Sequence, residues 1–159
     1  DVLWGELELP PDDGDWKALL RSFATSLRSL AHAHPHAYPL LLSHRSWSLA
    51  MLGLSAVIVE RLQQAGFAQK RAAVVLCTLM SYAMGYALME VTTLLPGPPD
   101  PAAAAKSEFE RLTEIMPRLP REAPARMVEV VSVLMDLDAE APFTFGLDLM
   151  LAGLTPGQG

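Results

Sequence analysis

AAVVLCTLMSYAMGYALMEVTTLL, residues 72–95, decides the fold. It carries no charge between Arg71 and Glu90 and no proline before Pro96. A run of this length makes an ordinary globular helix with turns to spare. A helix apolar on every side has to be covered on every side. Neighbours within a chain of 159 residues cover only part of it. The rest calls for a partner subunit, a ligand or a bilayer.

The helix separates into faces on a helical wheel. One carries Ala73, Leu76, Met80, Met84 and, close by, Ala87; another carries Ser81, Gly85, Leu88 and Thr92. Small residues one turn apart, Ser81 and Gly85, let a second helix come close. Flexible methionines suit a cavity that adapts to an apolar occupant. The plain alternative is that both faces are core. Cys77 reads as a small buried hydrophobe, and a lone cysteine excludes an internal disulfide framework.

Upstream, Leu7 to Asp15 reads as a linker, because Pro10-Pro11 forbids a helix and Asp12, Asp13 and Gly14 supply turn chemistry. Asp15 is placed to cap a helix from about Trp16 to Ala33. Leu19, Leu20, Phe23, Leu27 and Leu30 form its stripe, with Lys17, Arg21 and Arg28 off it. His32, His34 and His36 alternate around Pro35. That spacing splits successive side chains between faces, so turn histidines rather than a metal site are expected. A short helix, Ala37 to Leu42, follows. Ser46 is the expected cap of the next, Trp47 to Ala65, whose stripe is Trp47, Met51, Leu54, Ile58 and Leu62. Gly66 suits the left-handed position after it, and Phe67 folds back on the last turn.

Downstream, Pro96 to Pro101 is a rigid break. A helix is expected from Ala102 to Met116 and another from Arg126 to Leu137. The latter is β-branched but has no second strand to pair with. Phe143 to Leu154, FTFGLDLMLAGL, is apolar on most sides, like the 72–95 helix. Two such helices per chain are satisfied by a four-helix contact across a two-fold axis. Phe143, Leu147, Leu151 and Leu154 then join Ser81, Gly85, Leu88 and Thr92 in the interface. The fold class is all-α, a multi-helix bundle with short loops.

Net charge is -6 and no basic block is present, which argues against this chain gripping nucleic acid by itself. The first residues lack a basic or apolar leader region, so the chain reads as cytoplasmic. No nucleophile or carboxylate pair stands in a catalytic motif, so neither an enzyme nor a cofactor is expected. Glu90, at the end of the apolar helix, reads as a residue that reaches water. Leu49–Val59 is about half of the ~20 residues a membrane span needs. The 72–89 run is interrupted by Thr78, Ser81, Tyr82 and Gly85.

The order of these pieces resembles the C-terminal domain of TetR-family transcriptional regulators, the tetracycline-repressor type above all. The resemblance rests on the acidic linker and Trp16, the helix LLRSFATSLR, the loop Ala65-Gly66-Phe67, the pattern Ser81-Tyr82 with Gly85, Ala87-Leu88 and Glu90, and the closing FTFGLDLMLAGL. It implies an all-helical homodimer with an inducer pocket, in which inducer binding tilts a linking helix and releases operator DNA held by an N-terminal helix-turn-helix. That reading head is missing from this sequence. Residues 1–15 would be the end of the linking helix and a linker, 16–154 the ligand-binding and dimerisation domain, and 155–159 a disordered tail. The N-terminus reads as a truncation, or the chain is an orphan ligand domain.

By position, the resemblance implies a pocket lined by Phe23, Leu27, Leu41, His44, Trp47, Met51, Ile58, Leu62, Leu76 and Met80. Phe23, Leu41 and Ile58 stand where polar or chelating groups would be needed, so a tetracycline–magnesium chelate is not expected and no metal is assigned. The expected effector is a small apolar or aromatic molecule, with His44 and Tyr82 as polar handles. The alternative is a freestanding helical module that dimerises or carries a small apolar molecule without DNA binding.

Overall fold

The computed structural model describes residues 3–43, 48–92, 123–135, 137 and 140–157. Among them are a 3-10 turn, Leu3–Glu6, and six α-helices, with no strand. These are α1 (Trp16–Ala33), α2 (Tyr38–Ser43), α3 (Leu49–Gln64), α4 (Gln69–Val91), α5 (Ala123–Met135) and α6 (Glu140–Ala152). His44, Trp47 and the expected 102–116 helix lie outside the described residues.

Local chemistry sets most helix ends. The Asp15 carboxylate accepts hydrogen bonds from the Lys17 and Ala18 amides at 2.9 and 3.0 Å, so α1 starts as its cap dictates. α3 starts at Leu49 rather than Trp47, capped by Ser48, whose hydroxyl accepts from the Met51 amide. Its far end is closed by Gly66 at φ +97° and by the Phe67 amide donating to the Leu62 carbonyl at 3.0 Å. That reversed turn needs a residue without Cβ. Phe67 is buried and meets the Trp16 ring edge-on at 5.0 Å, tying α3 to the start of α1. Pro124 and Pro142 fall in the first turns of α5 and α6, where a missing N–H breaks no helical bond.

The core forms where α1 and α3 lie along α4, with α6 closing the other flank of α4. Phe23, Leu27, Ile58, Leu62, Leu76, Leu79 and Phe143 belong to one buried cluster. The start of the chain joins it too. Leu3–Glu6 is a 3-10 turn, not the tail of an α-helix, and Trp4 and Leu7 are buried in the same cluster. The far end is likewise engaged through Gly157, whose amide donates to the Gly66 carbonyl at 3.1 Å, so a wholly disordered tail from 155 is not what is seen. α4 is long and apolar enough to cross a membrane by length and hydropathy, yet Ala72, Leu79, Ala83 and Glu90 on one side of it are buried within the chain.

Candidate functional site

Eight of the ten expected pocket residues fall within the described segments, and they converge, but as packed core rather than open cavity. Phe23, Leu27, Ile58 and Leu62 have no exposed surface and Leu76 almost none. Leu41, Met51 and Met80 border the same cluster and are only partly covered. Of the eight, only Leu41, Met51 and Met80, on α2, α3 and the methionine flank of α4, keep surface outside the core. A separate surface cleft of about 100 Å³ lies between Pro11–Trp16 and Arg61, Gln64 and Ala65. It is smaller than the ~300 Å³ at which ligand pockets begin, and none of its residues is an expected pocket residue. Beside it Arg61 donates to the Pro10 carbonyl at 2.8 Å and lies near Asp12, fastening the linker to α3.

The hydroxyl of Tyr82 has its proton taken up within the chain. It donates to the carbonyl of Phe143 at 2.8 Å, with that of Pro142 at 3.3 Å. Its ring stacks on Phe143 at 5.6 Å and presses on the backbone of Gly146. The two motifs that carried the resemblance, one on α4 and one on α6, thus meet each other. Burial pushes the phenols of Tyr82 and Tyr86 above their ordinary pKa, since both ionise less readily out of water.

Beneath these rings sits a charge cluster that periodicity did not reveal. Arg28 of α1 is buried, not off the core as its place beside the stripe implied. It donates through Nε and Nη2 to Glu90 of α4 and through Nη1 to Glu140 of α6 at 2.6 Å. Its guanidinium lies 4.8 Å from the Phe143 ring centre. Glu90 is buried and does not reach water, because Arg28 and the Nε2 of His32, 2.9 Å away, close over it. The hydrogen bond to Glu90 above all holds the guanidinium pKa higher than usual, so Arg28 stays charged throughout. His34 pairs with Glu6 at 2.9 Å, while His36 is exposed. His32 and His34 thus pair with carboxylates remote in sequence instead of being simply solvated. Two signals were available. Glu90 is the one charge in the 72–95 run, and Arg28 follows Ala24 by one turn, where a small neighbour leaves it room.

The outward faces of α4 and α6 complete the description. Ser81 and Thr92 are exposed and Gly85 and Leu88 half-covered, with exposed Val74, Cys77 and Met89 beside them. Cys77 is therefore on the outer face and not buried. On α6 the expected interface residues Phe143, Leu147 and Leu151 point inward, covered by the chain itself, and Leu154 is half-covered. The face left open carries Phe145, 66% exposed, and Leu149, 60% exposed. The helix is apolar on both sides, so its inner side could not be told from its outer one by sequence. Among the described residues no group of three or more histidine, cysteine or acidic side chains is placed to hold a metal ion.

This arrangement has relatives. The family described as tetracyclin repressor-like, C-terminal domain, matches residues 9–156. A crystal structure of a possible TetR family transcriptional regulator from Streptomyces coelicolor A3(2) is similar, with a TM-score of 0.65 and 25% identity. The likeness covers 91% of this chain and 66% of that one, so the chain spans just under two thirds of that regulator's length. No curated protein sequence matches. With the matched family spanning nearly its whole length, the chain belongs to the tetracyclin repressor-like C-terminal domain family.

Proposed function

We propose that this chain is the effector-binding and dimerisation domain of a TetR-type transcription repressor acting in the cytoplasm. Family membership supports the regulatory role. One observation carries the dimer. The outward faces of α4 and α6 are apolar and neighbouring, and nothing among the described residues covers Phe145, Leu149 or Val74. Contiguous exposed apolar surface of this kind marks an interface. Two copies bury it in a four-helix contact about a two-fold axis, with Ser81 and Gly85 letting the α4 helices approach. Phe143, Leu147 and Leu151 back that interface from inside.

The effector in this reading is a small apolar molecule seated at Leu41, Met51 and Met80. Phe23, Leu27, Ile58, Leu62 and Leu76 form the wall behind them. Operator DNA is read by a helix-turn-helix outside this chain. α3 links the two ends, because it carries Met51 at the pocket border and Arg61 on the Pro10 carbonyl. A shift of α3 on effector binding moves the N-terminal segment with it and releases DNA.

The test is the molar mass of the chain in dilute, detergent-free buffer by light scattering. Twice 17.3 kDa is expected. A mass of one chain overturns the dimer, and failure to stay in solution without detergent favours a bilayer against the same face.

A further inference from the structure

Tyr38 opens α2 and is completely buried. Its ring lies in a small apolar cluster of its own, with Ala31 of α1 and Ala87 of α4. Leu41 touches both this cluster and the main core. The Tyr38 hydroxyl has no hydrogen-bond partner among the described residues. Tyr82, by contrast, donates its own to a backbone carbonyl. An unpaired buried phenol is unfavourable, and a phenylalanine would fill the slot without that penalty. Burial also pushes the Tyr38 pKa well above the usual phenol range, so the group stays protonated and is a donor in search of an acceptor.

Its surroundings define the acceptor. Leu41, Leu42, Leu88 and Val91 pack on this cluster, and the charged groups within a turn of it along α1 and α4, Arg28, His32 and Glu90, are paired with one another. At about 100° per residue, Ala87 and Val91 share one flank of α4 with Met80 and Met84. That flank is the one to which the proposed function assigns the effector. With those charges already paired, a carboxylate or ammonium would find no free counter-charge, whereas an uncharged carbonyl oxygen needs only the donor that Tyr38 holds.

We propose that the Tyr38 hydroxyl is the polar anchor of the effector, donating a hydrogen bond to the carbonyl oxygen of an otherwise apolar, uncharged aromatic compound. The assignment rests on the effector-domain reading given above and specifies its ligand class.

The experiment compares 9-fluorenone with fluorene, which have nearly the same shape and differ by the carbonyl oxygen. Each is titrated into the full chain and into Tyr38→Phe. The wild type is expected to bind fluorenone about tenfold more tightly than fluorene, the effect of one buried hydrogen bond. Tyr38→Phe should bind the two alike and melt at or above the wild-type temperature. Equal binding by the wild type, or a preference that survives in Tyr38→Phe, overturns the anchor and leaves the effector domain standing. Binding of neither compound overturns the apolar pocket and the anchor together. A second readout needs no variant. The infrared carbonyl band of fluorenone bound to the wild type should move to lower wavenumber, and an unshifted band overturns the proposal.

Discussion

Arg28 on α1 and Glu90 on α4 face each other through two parallel hydrogen bonds, Nε to Oε2 at 2.8 Å and Nη2 to Oε1 at 2.7 Å. Their side chains are 7% and 1% exposed. A paired buried charge is tolerated; an unpaired one is not. Arg28→Met or Glu90→Gln alone should therefore destabilise the chain by about 3–5 kcal/mol in urea unfolding. Arg28→Met combined with Glu90→Leu should recover most of that loss, since no buried charge is then left alone. A double variant as unstable as the sum of the singles would contradict this account.

Gly146 has no side chain because Tyr82 occupies the place. A Cβ there would come within 2.7 Å of Cζ and 2.9 Å of Cε2 of that ring. Alanine normally gains about 1 kcal/mol over glycine inside a helix. Here it must displace the ring and break the bond from Tyr82 to the Phe143 carbonyl, so Gly146→Ala should instead lose about 1–3 kcal/mol. In a Tyr82→Leu background the same change should be neutral or stabilising. Thermal melts of the four chains measure the coupling directly.

The two sides of α6 make opposite predictions. Leu149→Glu places a charge on the open face and should halve the solution mass while leaving the helical circular dichroism intact. Leu147→Glu, one face round, places the charge in the core and should unfold the chain or cost about 3 kcal/mol or more. If Leu149→Glu leaves the mass unchanged, the outward face is not where two copies meet.

All three tyrosines titrate upward, burial being the first cause for each. A phenol whose folded pKa exceeds the unfolded value of about 10 stabilises the fold fully below that pH. The unfolded chain releases its protons first, so stability falls as pH rises past about 10 toward the folded values. Tyrosinate absorbance near neutral salt should therefore rise together with loss of helical signal. Tyr38→Phe should make the alkaline loss of stability shallower. A full tyrosinate signal from a still-folded chain would contradict the burial of these groups.

How much of this was legible beforehand depended on the range of the cause. Asp15, Gly66 and the stripe Leu19, Phe23, Leu27 and Leu30 act within a turn or two, so α1 and the close of α3 could be read from the chain. Ser48 caps α3 where Ser46 was expected, because a serine two residues earlier offers the same local chemistry in the sequence. The acidic partners of His32 and His34 come from Glu90 and Glu6, too distant for any local pattern to show.

By itself, the sequence determined that this chain is helical, where several of its helices begin and end, and that α4 and α6 carry more apolar surface than polar. Only the tertiary structure decided which side of each is inward. It turned Phe143 and Leu147 into core and left Phe145, Leu149 and Cys77 outside. The physical reason is symmetry. A helix with a polar face announces its orientation, but one that is apolar all round has none until distant neighbours, α1 with its Arg28 foremost, choose a side to cover.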